Sequence, residues 1–353
     1  MVAVCVLSED LSGTPDEGIK KVALAVGDAL ARRHRVTLLG TWGDAPMPGT
    51  RLARAGRTFL SAALRRELAR QDPQVLLYVA RSSTTTMAFL RARLLAAYCP
   101  RATIALVGLQ ARRHGRLQRA AIRRIRPHVV CVQSDESRRY LERLGCSVRL
   151  FRSGVDVERF RPVDRVRRDA LRAQHHLRAD LPVALHVGHL TSGRGIGVLA
   201  DLARGGECQV VLVASTFTAQ ERALADELRS AGVILRTEYE PHVEQLYQLA
   251  DCYVFPVAST DNSIEVPLSV LEAFACDLPV VTRRFGALWD VFGRADAPGL
   301  VFVDSPAALV DEALRLCRNG PGGTRVLALP YAWEAVASDL LDGVLSMDGE
   351  TRA

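Results

Sequence analysis

Residues 259–281 read STDNSIEVPLSVLEAFACDLPVV, in which two carboxylates, Glu265 and Glu272, stand on either side of an apolar run entered through Pro267. A helix beginning at Pro267 puts proline at its first position, where a missing N–H costs least, and leaves the amides of Leu268 and Ser269 without intrahelical partners. Such an end attracts anions. Glu265 is then expected in the loop before the helix, Glu272 on its second turn, and DLPVV as a returning buried strand of the kind parallel sheets use. A second stretch, HVGHLTSGRGIGVL, runs from an apolar strand into Gly188, Gly193 and Gly195, with His189 and Arg194 between them. Its GRGIG is not GxGxxG and alone is a weak signal. Asp16, Glu17 and Gly18 follow the first apolar run, where a loop faces the ligand edge of a sheet, although a helix start attracts acids in any case.

The elements that must position these residues alternate along the chain. Apolar runs VAVCVL, RVTLLG, QVLLYVA, ATIALVG, HVVCVQ and SVRLF, then PVALHVG, CQVVLVAS, GVILR, DCYVFP, LPVVT and LVFV, are separated by helix-length amphipathic segments. This is βα alternation twice over: an α/β chain of two Rossmann-like, doubly wound parallel sheets. The charged stretch at about 158–180 reads as a linker. The expected domains are 1–160, 161–330, and a closing helix at 331–347 that returns to the first. In open α/β sheets the ligand sits beyond the carboxyl ends of the strands, so a cleft where two such sheets face each other is the expected site.

Composition narrows the function. The 353 residues, 48% hydrophobic, suffice for a large core. No apolar run approaches the roughly 20 residues of a membrane span. The start, MVAVCVLSEDLSG, reads as a first strand more than a secretory signal, which places the expected protein in the cytoplasm. The eight cysteines show no CxxC pair and no zinc-finger spacing, and read as buried reduced thiols. The net charge of +7 conceals +16 over residues 1–161 and −9 over the rest. Seven arginines crowd the stretch from Arg112 to Arg126, with Arg101 just before. A charge run is often only a solvated helix face, but this density suits anionic lipid headgroups or phosphates. Stacking aromatics are missing there, which argues against nucleic acid.

The two glycine- and glutamate-bearing stretches, in their order and spacing, resemble the donor loop and the EX7E segment of retaining GT-B glycosyltransferases of family 4. FRSGVDVERFRP resembles that family's crossing into its second domain, and PYAWEAVASDLL its closing helix. The resemblance covers most of residues 148–347. It implies a GT-B fold and transfer of a sugar, with retention, from a nucleoside diphosphate sugar to an acceptor on the basic first domain, and the charge of that domain suits an acceptor that is lipid-linked or membrane-associated at the inner face of the membrane. The implied donor-binding residues are Gly188, His189, Gly193, Arg194, Gly195, Leu268, Ser269 and Glu272. Glu265 and Arg194 are the implied catalytic pair, and Asp16, Glu17 and Gly18 the acceptor residues. Arg194 would neutralise the departing diphosphate, Glu272 accept the ribose hydroxyls, and Glu265 bond the sugar. The leaving phosphate itself would take the acceptor's proton, so neither metal nor cofactor is implied, and no Asp-x-Asp motif is present.

The sequence departs from the family pattern in three places. Its first glutamate is one position late, since Ile264 stands eight before Glu272. His189 stands where an arginine is common, and Leu109 and Gln110 lie where a histidine often follows the fourth strand. A catalytically silent nucleotide-sugar-binding or scaffold subunit is therefore the alternative. An NAD-dependent oxidoreductase is disfavoured because neither half carries GxGxxG after its first strand.

Overall fold

Runs such as VLLYV, TIALV and VVCV are apolar on both faces, the pattern of strands covered by helices on either side. The computed structural model describes residues 1–44, 46–216, 220–260, 263–320 and 322–352. In it these runs form two parallel sheets, each in its own compact unit.

The first unit takes in Met1–Ser153, the described residues 263–266, and the C-terminal helix Trp333–Arg352. Its strands are β1 (Ala3–Asp10), β2 (Arg35–Trp42), β3 (Thr50–Leu52), β4 (Val75–Val79), β5 (Thr103–Val107), β6 (Val129–Val132) and β7 (Val148–Leu150), in the order β3-β2-β1-β4-β5-β6-β7. The helices at Ala62–Gln71, Thr86–Tyr98, Arg116–Ile122 and Asp135–Glu142 send Leu64, Leu68, Phe89, Leu95, Ile122 and Leu141 into one core. Helix Gly18–Ala31 packs instead on the C-terminal helix, which Arg149 of β7 ties down by donating to Asp339 at 2.7 Å.

The second unit comprises Gly154–Thr260 and Pro267–Ala332. Its strands are β8 (Val183–Gly188), β9 (Gln209–Ala214), β10 (Ile234–Arg236), β11 (Cys252–Phe255), β12 (Val280–Arg283) and β13 (Leu300–Val303), ordered β10-β9-β8-β11-β12-β13. In each sheet the strand order reverses beside the first strand, between β1 and β4 and between β8 and β11, and the carboxyl ends of those pairs are where such sheets bind ligands.

The boundaries differ from the expected ones in three ways. The first unit ends at Ser153. The stretch expected as a linker contains helix Arg165–Gln174, whose Arg168 and Arg172 both donate to Asp251. Residues 263–266, expected in the second domain, pack with the first, because the amide of Glu265 donates to the carbonyl of Leu109 at 2.9 Å and that of Val266 to Gln133 Oε1 at 2.9 Å. All eight cysteines are buried free thiols. No helix among the described residues is long and apolar enough to cross a membrane.

Candidate functional site

At the switch point of the second sheet, β8 ends in Gly188 and the chain turns through His189 into a single 3-10 turn, Ser192–Arg194. Glycine is required at two places. A Cβ on Gly188 would stand 2.9 Å from His186 Nε2, and Gly195 closes the turn at φ +67° with a Cβ position 3.2 Å from the carbonyl of Pro256 just past β11. Gly193 has open space around it. Ser192 holds the loop from outside, its amide donating to Glu221 at 3.1 Å. Arg194 is half-buried, and that burial pulls its guanidinium below the ordinary value.

Helix Leu268–Ala275 starts one residue later than expected. Pro267 is its N-cap, with extended backbone (φ −65°, ψ 130°), and the first intrahelical bonds run from Val270 and Leu271 to the Pro267 carbonyl. The amides of Leu268 and Ser269 precede those bonds at the anion-attracting end. Glu272 lies on the second turn, is 6% exposed, and accepts from the Tyr247 hydroxyl at 2.8 Å. Tyr247 stacks on Tyr253 at 5.6 Å. The Tyr253 hydroxyl donates to the carbonyl of Val187 on β8 at 3.2 Å and lies against Ser269. Burial raises the pKa of both tyrosines, with the charge of Glu272 adding to the effect, so both stay neutral donors. Tyr253 thus links the start of this helix to the end of β8, from which the Arg194 turn departs.

Behind the loop is His186, a residue the sequence reading passed over. It is 1% exposed, donates from Nδ1 to the Val254 carbonyl at 2.8 Å, and stacks with Tyr253. Burial lowers its pKa to about 4, with Arg194 and His189 pushing the same way, so the ring is neutral. A histidine inside the apolar run PVALHVG was the signal available for it.

The other implied catalytic residue is Glu265. It belongs to the first unit, is 4% exposed, and accepts from Ser137 Oγ at 3.2 Å at the start of helix Asp135–Glu142. Burial raises its pKa against the opposing hydrogen bonds of Ser134 and Ser137. A raised carboxyl pKa contributes stability that is full below the unfolded value and lost as pH rises through the folded one. Glu265→Gln should therefore hold or gain stability at pH 7 relative to wild type, an advantage that vanishes near pH 4, as paired urea titrations at the two pH values can show. Its neighbours Asp261 and Asn262 lie outside the described residues.

At the switch point of the first sheet, Glu17 is the N-cap of helix Gly18–Ala31, accepting from the Lys20 amide at 2.8 Å, and Asp16 accepts from Thr14 at 3.2 Å. Burial raises the pKa of Glu17, and the charges of Arg81 and Lys20 oppose it.

A family model described as "Glycosyl transferases group 1" matches residues 182–319. Alpha-maltose-1-phosphate synthase of Mycobacterium tuberculosis is 24% identical over 221 residues, 55% of this chain and 56% of that protein, so the chain spans about half the length of this relative. Among solved structures, sucrose-phosphate synthase from Thermosynechococcus elongatus superposes with a TM-score of 0.74 at 18% identity, over 99% of this chain and 100% of that one. HepE of Anabaena in complex with UDP-glucose gives 0.74 at 14%, over 97% and 99%. A glycosyltransferase from Rickettsia africae gives 0.73 at 10%, over 98% of each. The fold is GT-B.

Proposed function

We propose that the chain is a glycosyltransferase that moves a sugar, with retention, from a nucleoside diphosphate sugar to a lipid-linked or membrane-associated acceptor held by the first domain, without a metal. The observation that carries this reading is the meeting, at the switch point of the second sheet, of the glycine-edged turn bearing half-buried Arg194, the helix start at Leu268 and Ser269, and buried Glu272, which Tyr247 and Tyr253 link to β8. A diphosphate needs donors and positive charge where its own negative charge grows on bond cleavage, and a glycine-edged turn beside a half-buried guanidinium supplies both. Glu272 accepts from Tyr247, and two ribose hydroxyls fit a carboxylate, which has about four lone-pair sites. Tyr247 and Tyr253 fix the carboxylate and the loop without contributing charge. The solved neighbour holding UDP-glucose makes UDP and UDP-glucose the first ligands to test.

Calorimetry with UDP should give binding to the wild type and about ten- to a hundredfold weaker binding to Arg194→Ala, because a charge-assisted hydrogen bond contributes roughly 1.5–3 kcal/mol. Glu272→Gln should weaken UDP binding with or without the sugar, whereas Glu265→Gln should leave it unchanged. Equal affinity of wild type and Arg194→Ala would remove the assignment. Binding without donor turnover across a panel of acceptors would turn the reading to a nucleotide-sugar-binding subunit.

A further inference from the structure

The stretch between Asp72 and Asp135 contains eleven arginines and no acidic residue. Among the described residues, Arg93, Arg116, Arg119, Arg123 and Arg124 make no ion pair, and Arg93, Arg116, Arg123 and Arg124 are exposed. Large apolar side chains also stand out in the solvent here: Leu60 at 68% exposed, Met87 at 38% and Leu117 at 88%. These three sit at or just before the starts of the helices that follow β3, β4 and β5. In a parallel sheet those starts share one edge, and the common core of the three helices puts them on one face. Local bonds join them into a rim. Arg91 donates to the Arg57 carbonyl at 2.7 Å, tying the loop before Leu60 to the helix that carries Met87. His114, three residues before Leu117, lies 2.8 Å by its Nε2 from the carbonyl of Thr84, three before Met87.

We propose that this rim docks on an anionic lipid bilayer, with Leu60, Met87 and Leu117 entering the boundary between headgroups and acyl chains and the surrounding arginines on the headgroups. Charge complementarity selects that occupant, and the protruding apolar tips fit a bilayer, which accepts them, better than a polyanion, which does not. A nucleic acid would call for exposed stacking aromatics, and the exposed Tyr239 and Trp289 both lie in the second domain. The inference rests on the proposed membrane-associated acceptor for its purpose, and on the surface alone for its binding.

The test is sedimentation with vesicles of phosphatidylcholine containing phosphatidylglycerol, against pure phosphatidylcholine, with UDP calorimetry on every variant. Wild type should sediment with the anionic vesicles only. Leu117→Asp should weaken this about tenfold or more, as expected for one leucine kept out of the bilayer. Arg116→Gln, Arg123→Gln and Arg124→Gln combined should weaken it by about a hundredfold, at roughly fivefold per arginine. Leu117→Trp should show a blue-shifted emission on anionic vesicles. All variants should melt and bind UDP as wild type does, since Leu117 and these arginines are solvent-facing and in the other unit from Arg194. Unchanged sedimentation of both the leucine and the arginine variants, an unshifted tryptophan, or displacement of the vesicles by equimolar polyuridylate would overturn the docking surface while leaving the donor reading intact. Absence of UDP binding with normal vesicle binding would do the reverse.

Discussion

Replacing Arg91 by methionine is expected to destabilise the first domain by about 3–5 kcal/mol, the range for breaking a buried ion pair from one side. Glu9, at the carboxyl end of β1, is completely buried, and Arg91 is 4% exposed. The carboxylate accepts from the Tyr78 hydroxyl at 2.7 Å, the amide of Arg81 at 2.8 Å and Arg91 Nη1 at 2.5 Å. The guanidinium is itself consumed, by the Arg57 carbonyl and by the ring of Phe59 at 4.9 Å. Methionine fills much of the volume but strands Glu9 with one cation fewer in a place water does not reach. For a unit of this size the loss corresponds to a fall in Tm on the order of 10 °C. Calorimetric melting should show it, and UDP affinity should not move, because the residues proposed for the donor belong to the other unit. The double variant Glu9→Gln with Arg91→Met should cost less than Arg91→Met alone, since removing both charges leaves none uncompensated. A single-variant cost under about 1 kcal/mol would mean that the pair is solvated.

Much of this architecture was legible in the sequence because the strands of parallel sheets are uniformly apolar, and twelve of the thirteen strands among the described residues were found as such runs. The missing one, β3, is a three-residue edge strand of sequence TRL with no apolar pattern to announce it. Glycine spacing and apolar flanks located the Gly188–Gly195 turn and buried Glu272, for φ +67° at Gly195 and the burial of a lone glutamate both leave local marks. What the sequence concealed were partnerships between distant positions. Glu265 and Glu272 are close in number, but backbone bonds to Leu109 and Gln133, over a hundred residues away, hold the Glu265 segment in the first unit. Tyr247 and Tyr253 carry no mark in the sequence, and only the fold brings their hydroxyls to Glu272 and to the end of β8. The basic run was visible, but not that Leu117 protrudes from its middle, because a helical leucine reads as inward-facing until its neighbours are placed.

His186 should make the stability of the second domain fall steeply with acid. In the unfolded chain its imidazole takes a proton near the ordinary 6.5, and in the fold not until about 4. A depressed histidine contributes stability that is fully present above the unfolded value and is lost as pH falls from 6.5 toward 4, at 1.36 kcal/mol per unit, or about 3 kcal/mol across the window. His186→Phe keeps the stack between Tyr253 and Phe255 and forfeits the bond to Val254. It should therefore be less stable than wild type at pH 7, and the difference should shrink or reverse by pH 4.5. Urea midpoints for both proteins at pH 7, 5.5 and 4.5 measure this directly, and a constant difference would show that the ring is not held neutral. The donor loop makes the same group a reporter of binding. A diphosphate seated at Gly188 and Arg194 brings negative charge toward Nε2 and cancels part of the repulsion from Arg194, so it must raise the His186 pKa. By linkage, acid should then favour UDP binding by the wild type relative to His186→Phe. Comparison of the two proteins removes the titration of the phosphate itself, which is common to both. If their UDP affinities change in parallel between pH 7 and pH 5, the diphosphate does not lie over the Gly188 loop, even if both proteins bind it.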